Sequence, residues 1–275
     1  MITLAICSQK GGVGKTTVSL NVAAAWAERG GKVLLVDADP QGSLGKALAA
    51  GSGQVEGLKG VLEGGLSLDA ACLQTRLPGL RVLPHGRVDS ADHTRWLQDG
   101  QEPDFWNRLW EQAQAEGVDW LILDTAAGVH GLTLGVLRKS DHVLVPQQAE
   151  PLASHSLPMF LELVGELTRE YEGGRICGIV ITMLDFERSE SLEVAQELRR
   201  ALPGDFLCQT VLPRDPLLLK ASWHGLPLCL LGPEARQSAH VFSQLIAEIG
   251  FRLGSTGPSP YEQSSDSSQP LPFIV

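Results

Sequence analysis

Two lysines bracket a run of glycines at Lys10-Gly-Gly-Val-Gly-Lys-Thr-Thr17. Those residue types at that spacing suit the holding of a polyphosphate. Gly11, Gly12 and Gly14 let the main chain turn its N–H groups inward around anionic oxygens, where side chains would obstruct, and Val13 and Thr17 extend the same cup. Lys15 can reach the β- and γ-phosphates, and Thr16 can offer its hydroxyl to Mg2+. A glycine-rich turn with no ligand is the plainer reading, but the flanks argue against it. Ile2–Ser8 before the loop reads as a buried strand and Thr16–Arg29 after it as a helix, whose N-terminus adds partial positive charge at the same place.

Two further acidic positions carry chemistry. The apolar run Lys32–Ala38 contains Asp37 near its end, and Asp39 follows. Alternate residues of a strand share one side of the pleat, and open α/β sheets bind ligands at the carboxyl ends of their strands. Asp37 is thus placed to hold Mg2+ through water, and Asp39 to orient or deprotonate an attacking water. Taken alone, the pair would read as carboxylates capping a turn. Asp119–Asp124 is a second apolar strand ending in an acid. Asp124 there is suited to supporting Mg2+, and Gly128 gives the backbone freedom to approach a γ-phosphate.

The elements that must position these groups alternate. Predicted strands are Ile2–Ser8, Lys32–Ala38, Leu80–Pro84, Asp119–Asp124, His142–Pro146, Ile176–Thr182 and Leu207–Val211, rich in Val, Ile and Leu with little alternation, as strands buried on both faces are. Predicted helices are Thr16–Arg29, Asp104–Glu116, Leu132–Lys139, His155–Glu172, Ser189–Ala201 and Glu234–Leu253. Gly30-Gly31 is expected to stop the first and Ser189 to cap the fifth. Trp106 and Trp110 read as core rather than as a base-stacking surface. The fold class is α/β, a mostly parallel twisted sheet with helices on both faces. The stretch 51–101 is hard to read beyond two short helices before the Leu80 strand. One domain over 1–253 and a disordered Ser/Pro-rich tail over 254–275 complete the organisation.

Composition narrows the class. The chain has 275 residues and a formal net charge of −10, so its average field opposes DNA unless a local basic patch exists. No apolar run is long enough to span a bilayer, and no export signal is evident; a cytoplasmic location is expected. Five scattered cysteines form no Cys-x-x-Cys pair and read as small buried hydrophobes, and the histidines show no metal-ligand spacing.

The loop departs from the general pattern G-x-x-x-x-G-K-[ST] by its additional lysine, Lys10. In this it resembles the deviant Walker A motif of the ParA/MinD family of ATPases, whose extra lysine reaches across a dimer interface to the partner's nucleotide. The sequence Asp37-Ala-Asp-Pro-Gln41 resembles that family's first switch, and Trp120–Gly128 its Walker B element and second switch, with Ala126-Ala127-Gly128 closer to the MinD version. Val143–Leu157 resembles the strand and helix that follow, and His224-Gly-Leu-Pro227 a segment before the last helix. Ile181–Asp185, with Met183, and Val211–Asp215, with Pro213, Arg214 and Asp215, resemble the segments on the adenine side.

The resemblance implies an ATPase using ATP and Mg2+, with Lys10, Lys15 and Asp39 as catalytic groups and Thr16, Asp37 and Asp124 at the metal. It implies a homodimer formed around ATP and a stimulating partner protein, in a switch that positions plasmid, chromosome or protein cargo. Non-specific DNA binding and nucleoid association would follow if basic helices served it. Here only Arg188, Arg199, Arg200, Arg214 and Lys220 are available, among many glutamates, and Leu217-Leu-Leu219 occupies a stretch where relatives commonly carry a basic residue. No membrane partner is expected. The alternatives are a metabolic ATP-dependent enzyme of the same superfamily, of the cobyrinic-acid or dethiobiotin synthetase type, and a MinD-like regulatory ATPase without DNA binding.

Overall fold

The computed structural model describes residues 1–42, 44, 48, 56–150 and 156–254. The expected helix start at His155, residues 51–55 and the tail beyond Gly254 lie outside them. Seven strands, β1 (Ile2–Ser8), β2 (Val33–Asp37), β3 (Leu73–Gln74), β4 (Leu80–Leu83), β5 (Trp120–Ala127), β6 (His142–Gln148) and β7 (Arg175–Thr182), form one sheet in the order β3-β4-β2-β5-β1-β6-β7. Every neighbouring pair is parallel except β3 with β4.

The helices of the described residues are α1 (Lys15–Glu28), α2 (Gly57–Leu62), α3 (Leu68–Ala71), α4 (His93–Asp99), α5 (Asn107–Ala115), α6 (Leu132–Lys139), α7 (Leu157–Tyr171), α8 (Ser189–Ala201), α9 (Pro216–Trp223) and α10 (Arg236–Arg252). They cover both faces, as the apolar strands require. Leu4 and Ile6 of β1 pack toward α1 and α10, with Val22, Leu245 and Ile249, while Ala5 and Cys7 pack toward α5, α6, α7 and α8, with Leu109, Val136, Phe160 and Val194. Alternate strand residues therefore feed two cores.

Helix α1 is buried along most of its length, and it carries the functional loop at its start. Its end is fixed at Gly30 (φ 87°), whose N–H donates to the Ala27 carbonyl. One turn earlier the Trp26 ring stacks on Trp120 of β5 at 3.8 Å. Trp106 is fully buried, donates from its indole to the Gly100 carbonyl at 3.0 Å and meets Trp110 edge-on. The tryptophan pair is core.

Several boundaries shift for identifiable reasons. The Asp104–Glu116 helix begins as a 3-10 turn, Pro103–Trp106, before α5. Ser189 is the first residue of α8 rather than its cap; Arg188 takes that place, with no side-chain cap. Helix α9 was not expected, because Leu217-Leu-Leu219 has no helical period. Its signal was the pair Asp215-Pro216, an N-cap acid followed by a proline at the first helical position.

Leu207–Val211 is not a strand of the sheet. Leu207 bridges Ile179 and the Cys208 N–H reaches the Ile179 carbonyl at 2.8 Å. The next two N–H groups, of Gln209 and Thr210, then turn to the buried carboxylate of Glu248 on α10, at 2.8 and 3.0 Å. Arg252 completes the clasp, bonding Glu248 and the carbonyls of Asp205 and Leu207. A side chain thus takes the ladder's place. Glu248→Ala takes the carboxylate from the Gln209 and Thr210 N–H groups and from Arg252, which keeps only its carbonyl acceptors, and is expected to cost about 3 kcal/mol, read as a lowered urea midpoint.

Candidate functional site

The loop after β1 turns on two glycines. Gly12 (φ 78°) and Gly14 (φ 89°) occupy left-handed backbone that other residues rarely adopt, and Gly14 stands at the N-cap of α1. Gly11 is not so constrained, and a Cβ built there meets nothing within 4 Å. The loop is anchored from behind, where the Thr182 hydroxyl at the end of β7 donates to the Val13 carbonyl at 2.9 Å. Lys15 is 8% exposed. Its ammonium curls back to the Lys10 carbonyl at 3.1 Å, and burial lowers its pKa against the pull of Cys7, Asp124 and Asp39. The ammonium of Lys10 has no hydrogen bond or ion pair among the described residues.

Strand register sets the acids beneath the loop. Asp124 of β5 pairs in register with Ile6 of β1 on one side and Asp37 of β2 on the other. Both aspartates are fully buried. Asp124 Oδ1 accepts the Ser19 hydroxyl of α1 at 2.9 Å, whereas Oδ2 is buried with no hydrogen-bond partner. Burial pushes this carboxyl up to about 6, against the opposing pull of the Thr16 and Ser19 hydroxyls and of Lys15.

Asp37 has a different setting. Its oxygens accept the N–H groups of Asp39 (3.2 Å) and Leu44 (3.0 Å), so it anchors the segment that follows. Strand β2 ends at Asp37. Strand alternation therefore does not place Asp39; a tight turn does, in which Asp39 Oδ1 accepts the Gln41 N–H and its carbonyl the Gly42 N–H. Asp39 lies close enough to Lys15 and Asp124 to act on their charge. Strand β5 runs on through Ala126 and Ala127, and Gly128 (φ 83°) then donates its N–H to the Ser8 carbonyl at 3.0 Å.

The group at the far side of the loop is only partly convergent. Met183, in left-handed backbone at φ 53°, puts its methyl 3.6 Å from where a Gly14 Cβ would stand. Met183 and Arg214 line a cleft of about 630 Å³ with Glu150, Asp185 and Arg188. Pro213 bridges Leu184 at the cleft's edge. Asp215 caps α9, accepting from the Leu217 N–H and the Ser238 hydroxyl.

Two supporting residues escaped the sequence reading. Ser19 stands three residues after Thr16 on α1, so the pair shares a helix face, and that spacing could have found it. Thr182 had no signal beyond its place at a strand end.

The fit to a metal nucleotide rests on this donor set. Thr16 and Asp124 offer hard oxygen atoms of the kind Mg2+ takes, and the unpaired Asp124 oxygen gains a partner if a cation sits above it. Burying that oxygen unpaired otherwise carries only a cost. Among the described residues no cluster of His, Cys, Asp and Glu is suited to a metal on its own.

A mostly parallel α/β sheet whose first strand enters a helix through a left-handed glycine loop, with a buried lysine near Asp124, which lies within β5 rather than at its end as expected, defines a P-loop nucleotide-binding fold. A family profile described as an AAA domain matches residues 1–173. The chromosome partitioning protein ParA of Caulobacter vibrioides is 34% identical over 233 residues, 82% of this chain and 86% of that one. The chromosome-partitioning ATPase Soj of Thermus thermophilus is 32% identical, covering 91% and 96%. Among solved structures, cobyrinic acid a,c-diamide synthase from Mycobacterium smegmatis with bound ADP and magnesium superposes with a TM-score of 0.74 at 26% identity, covering 94% and 98%. The chain belongs to the ParA/MinD family of P-loop ATPases.

Lys15→Ala is expected to abolish ATP binding in calorimetry; retained affinity would refute the loop assignment. Asp124 gives a separate, ligand-free test. The unfolded chain releases this proton near 3.8 and the folded chain near 6, so the folded state holds the proton between those values and stability is lost as pH rises through the window. Asp124→Asn should remove that loss, stabilising the ligand-free protein at pH 7.5 by about 1–3 kcal/mol relative to its effect at pH 3.5. Urea unfolding at the two pH values measures it.

Proposed function

We propose that this chain is a ParA-like positioning ATPase that dimerises around ATP·Mg2+ and is released by hydrolysis under the stimulus of a partner protein. The single observation that carries this reading is Lys10. Its ammonium has no hydrogen bond or ion pair among the described residues, and it stands beside Gly11, where a Cβ would meet nothing within 4 Å. A lysine so placed can neutralise charge on phosphates held by a second copy.

The chain's own groups would divide the work. Main-chain N–H groups of Gly11, Gly12, Val13, Gly14, Thr16 and Thr17 bind the phosphates, and Lys15 leaves the Lys10 carbonyl to meet them. Thr16 and Asp124 hold Mg2+, with Asp37 acting through water, and the ion supplies charge neutralisation at the transferring phosphoryl group. Asp39 fixes the attacking water. Met183, Pro213, Arg214 and Asp215 border the base, Asp215 through its main chain. Loss of the γ-phosphate then favours the separated state.

DNA is the less supported output. Arg188 pairs with Asp185, Arg214 with Glu150 and Asp185, and Lys220 with Glu234. Of the five cations singled out, only Arg199 and Arg200 have no ion pair among the described residues. Such pairing leaves little charge to displace counterions. The synthetase alternative is favoured by the fold likeness at 26% identity, whereas relatives at 32–34% carry partitioning names.

Asp39→Ala is expected to bind ATP without turning it over and to elute as a dimer on size exclusion with ATP·Mg2+. Elution as a monomer would count against the dimer switch. Run with duplex DNA across a salt series, the same variant separates the outputs. A steep salt dependence seen only with ATP supports nucleoid attachment, and no binding at low salt supports protein cargo.

A further inference from the structure

The cleft bordered by Met183 and Arg214 has many of its fixed hydrogen-bond donors already in use. Along its wall and edge the Ala149 N–H donates to the Thr182 carbonyl at 3.1 Å, Glu150 to Gln148 at 2.9 Å, Leu184 to Leu212 at 3.2 Å and Arg214 to Leu184 at 2.9 Å. The Asp185 N–H donates to the Ser191 hydroxyl at 3.1 Å, which itself donates to the Ala149 carbonyl at 3.2 Å. Pro213 has no N–H to give. This matters for choice of base. A site built to hydrogen-bond one edge rejects an analogue lacking that edge by several orders of magnitude, whereas a pocket without such fixed groups discriminates weakly.

The remaining polar groups are movable and of both signs. Arg214 lies 3.6 Å from Glu150 and 4.0 Å from Asp185, and Arg188 3.8 Å from Asp185, with both arginines and Glu150 at least half exposed. A carboxylate accepts from the amino group of adenine or of guanine, and a guanidinium donates to N7 of either ring. Either purine edge therefore finds a partner here.

Met183 closes the cleft toward the phosphate loop. Its backbone is left-handed at φ 53° and its methyl stands 3.6 Å from the site of a Gly14 Cβ. Asparagine tolerates that backbone better than an unbranched apolar residue does, so the methionine is held there against local preference. Its thioether brings a polarizable surface that adapts its shape and packs on any aromatic ring, with no polar edge to match.

We propose that this cleft accepts either purine, so that the chain binds and hydrolyses GTP as well as ATP, and that Met183 is the residue that sets this tolerance. The reaction is the same for both: the bond between the γ-phosphorus and its bridging oxygen breaks, the oxygen of water takes its place, and the nucleoside diphosphate leaves with inorganic phosphate and a proton. The inference rests on the proposed reading in which Met183, Pro213 and Arg214 border the base.

The test titrates the unaltered protein with the non-hydrolysable analogues of ATP and GTP by calorimetry and measures kcat/KM for ATP and GTP. Both the two affinities and the two kcat/KM values should agree within about tenfold. A larger preference for ATP in either overturns the proposal. Met183→Asn tests the residue. Its carboxamide matches the N6 and N7 edge of adenine, so the ratio of ATP to GTP affinity should rise about fivefold or more, with a thermal midpoint equal to or above that of the unaltered protein. A smaller rise removes Met183 from the role. Should that variant fail to fold, Met183→Gln, of methionine's length, supplies the ratio, and the comparison of the two nucleotides in the unaltered protein decides the tolerance in either case. If the unaltered protein binds neither nucleotide, the site assignment itself fails, a result distinct from binding ATP while rejecting GTP.

Discussion

A buried ammonium and a buried carboxylate lie beneath one glycine loop, and each is strained in a way that a metal polyphosphate would relieve. Lys15 has left water for the carbonyl of Lys10, a neutral acceptor, and its pKa is lowered by that burial. Asp124 keeps one oxygen unpaired in the core and its pKa is raised. Opposite shifts of a base and an acid in the same few ångströms mark a place arranged for charge that arrives from outside. The sheet exists in this register to hold that arrangement. Because Ile6, Asp124 and Asp37 lie level across three adjacent parallel strands, the loop of β1 opens directly over the acids of its two neighbours on that side.

The two aspartates show how one residue type divides into two tasks. Asp124 is fixed from one side by Ser19 and open on the other. Asp37 gives both oxygens to the N–H groups of the segment after it, so its carboxylate ties the end of β2 to the turn bearing Asp39.

Much of this was legible in the sequence. Strand and helix alternation gave the sheet, and α6 and α8 emerged with their expected limits, because apolar period and terminators agree there. The phosphate loop was readable because glycine at positive φ leaves an imprint that few other constraints leave. What escaped depended on contacts between distant residues. Leu207–Val211 has strand composition, but Glu248, some forty positions later, takes its N–H groups. The turn holding Asp39 looked like strand alternation because periodicity carries no record of where hydrogen bonding stops. Cys7, Cys177 and Cys208 are buried as expected, whereas Cys72 and Cys229 are half-buried, and burial pushes Cys7 to about 11 and Cys177 to about 12.

The two margins of the sheet have a shared consequence. At one margin β3 is only two residues long and runs antiparallel. At the other, the clasp of Glu248 and Arg252 covers β7 with an irregular segment whose amides are already engaged. Neither border offers the row of open amides and carbonyls on which another polypeptide could zip itself. Self-association that continues the sheet, and the fibrous growth that such templating permits, is discouraged by construction.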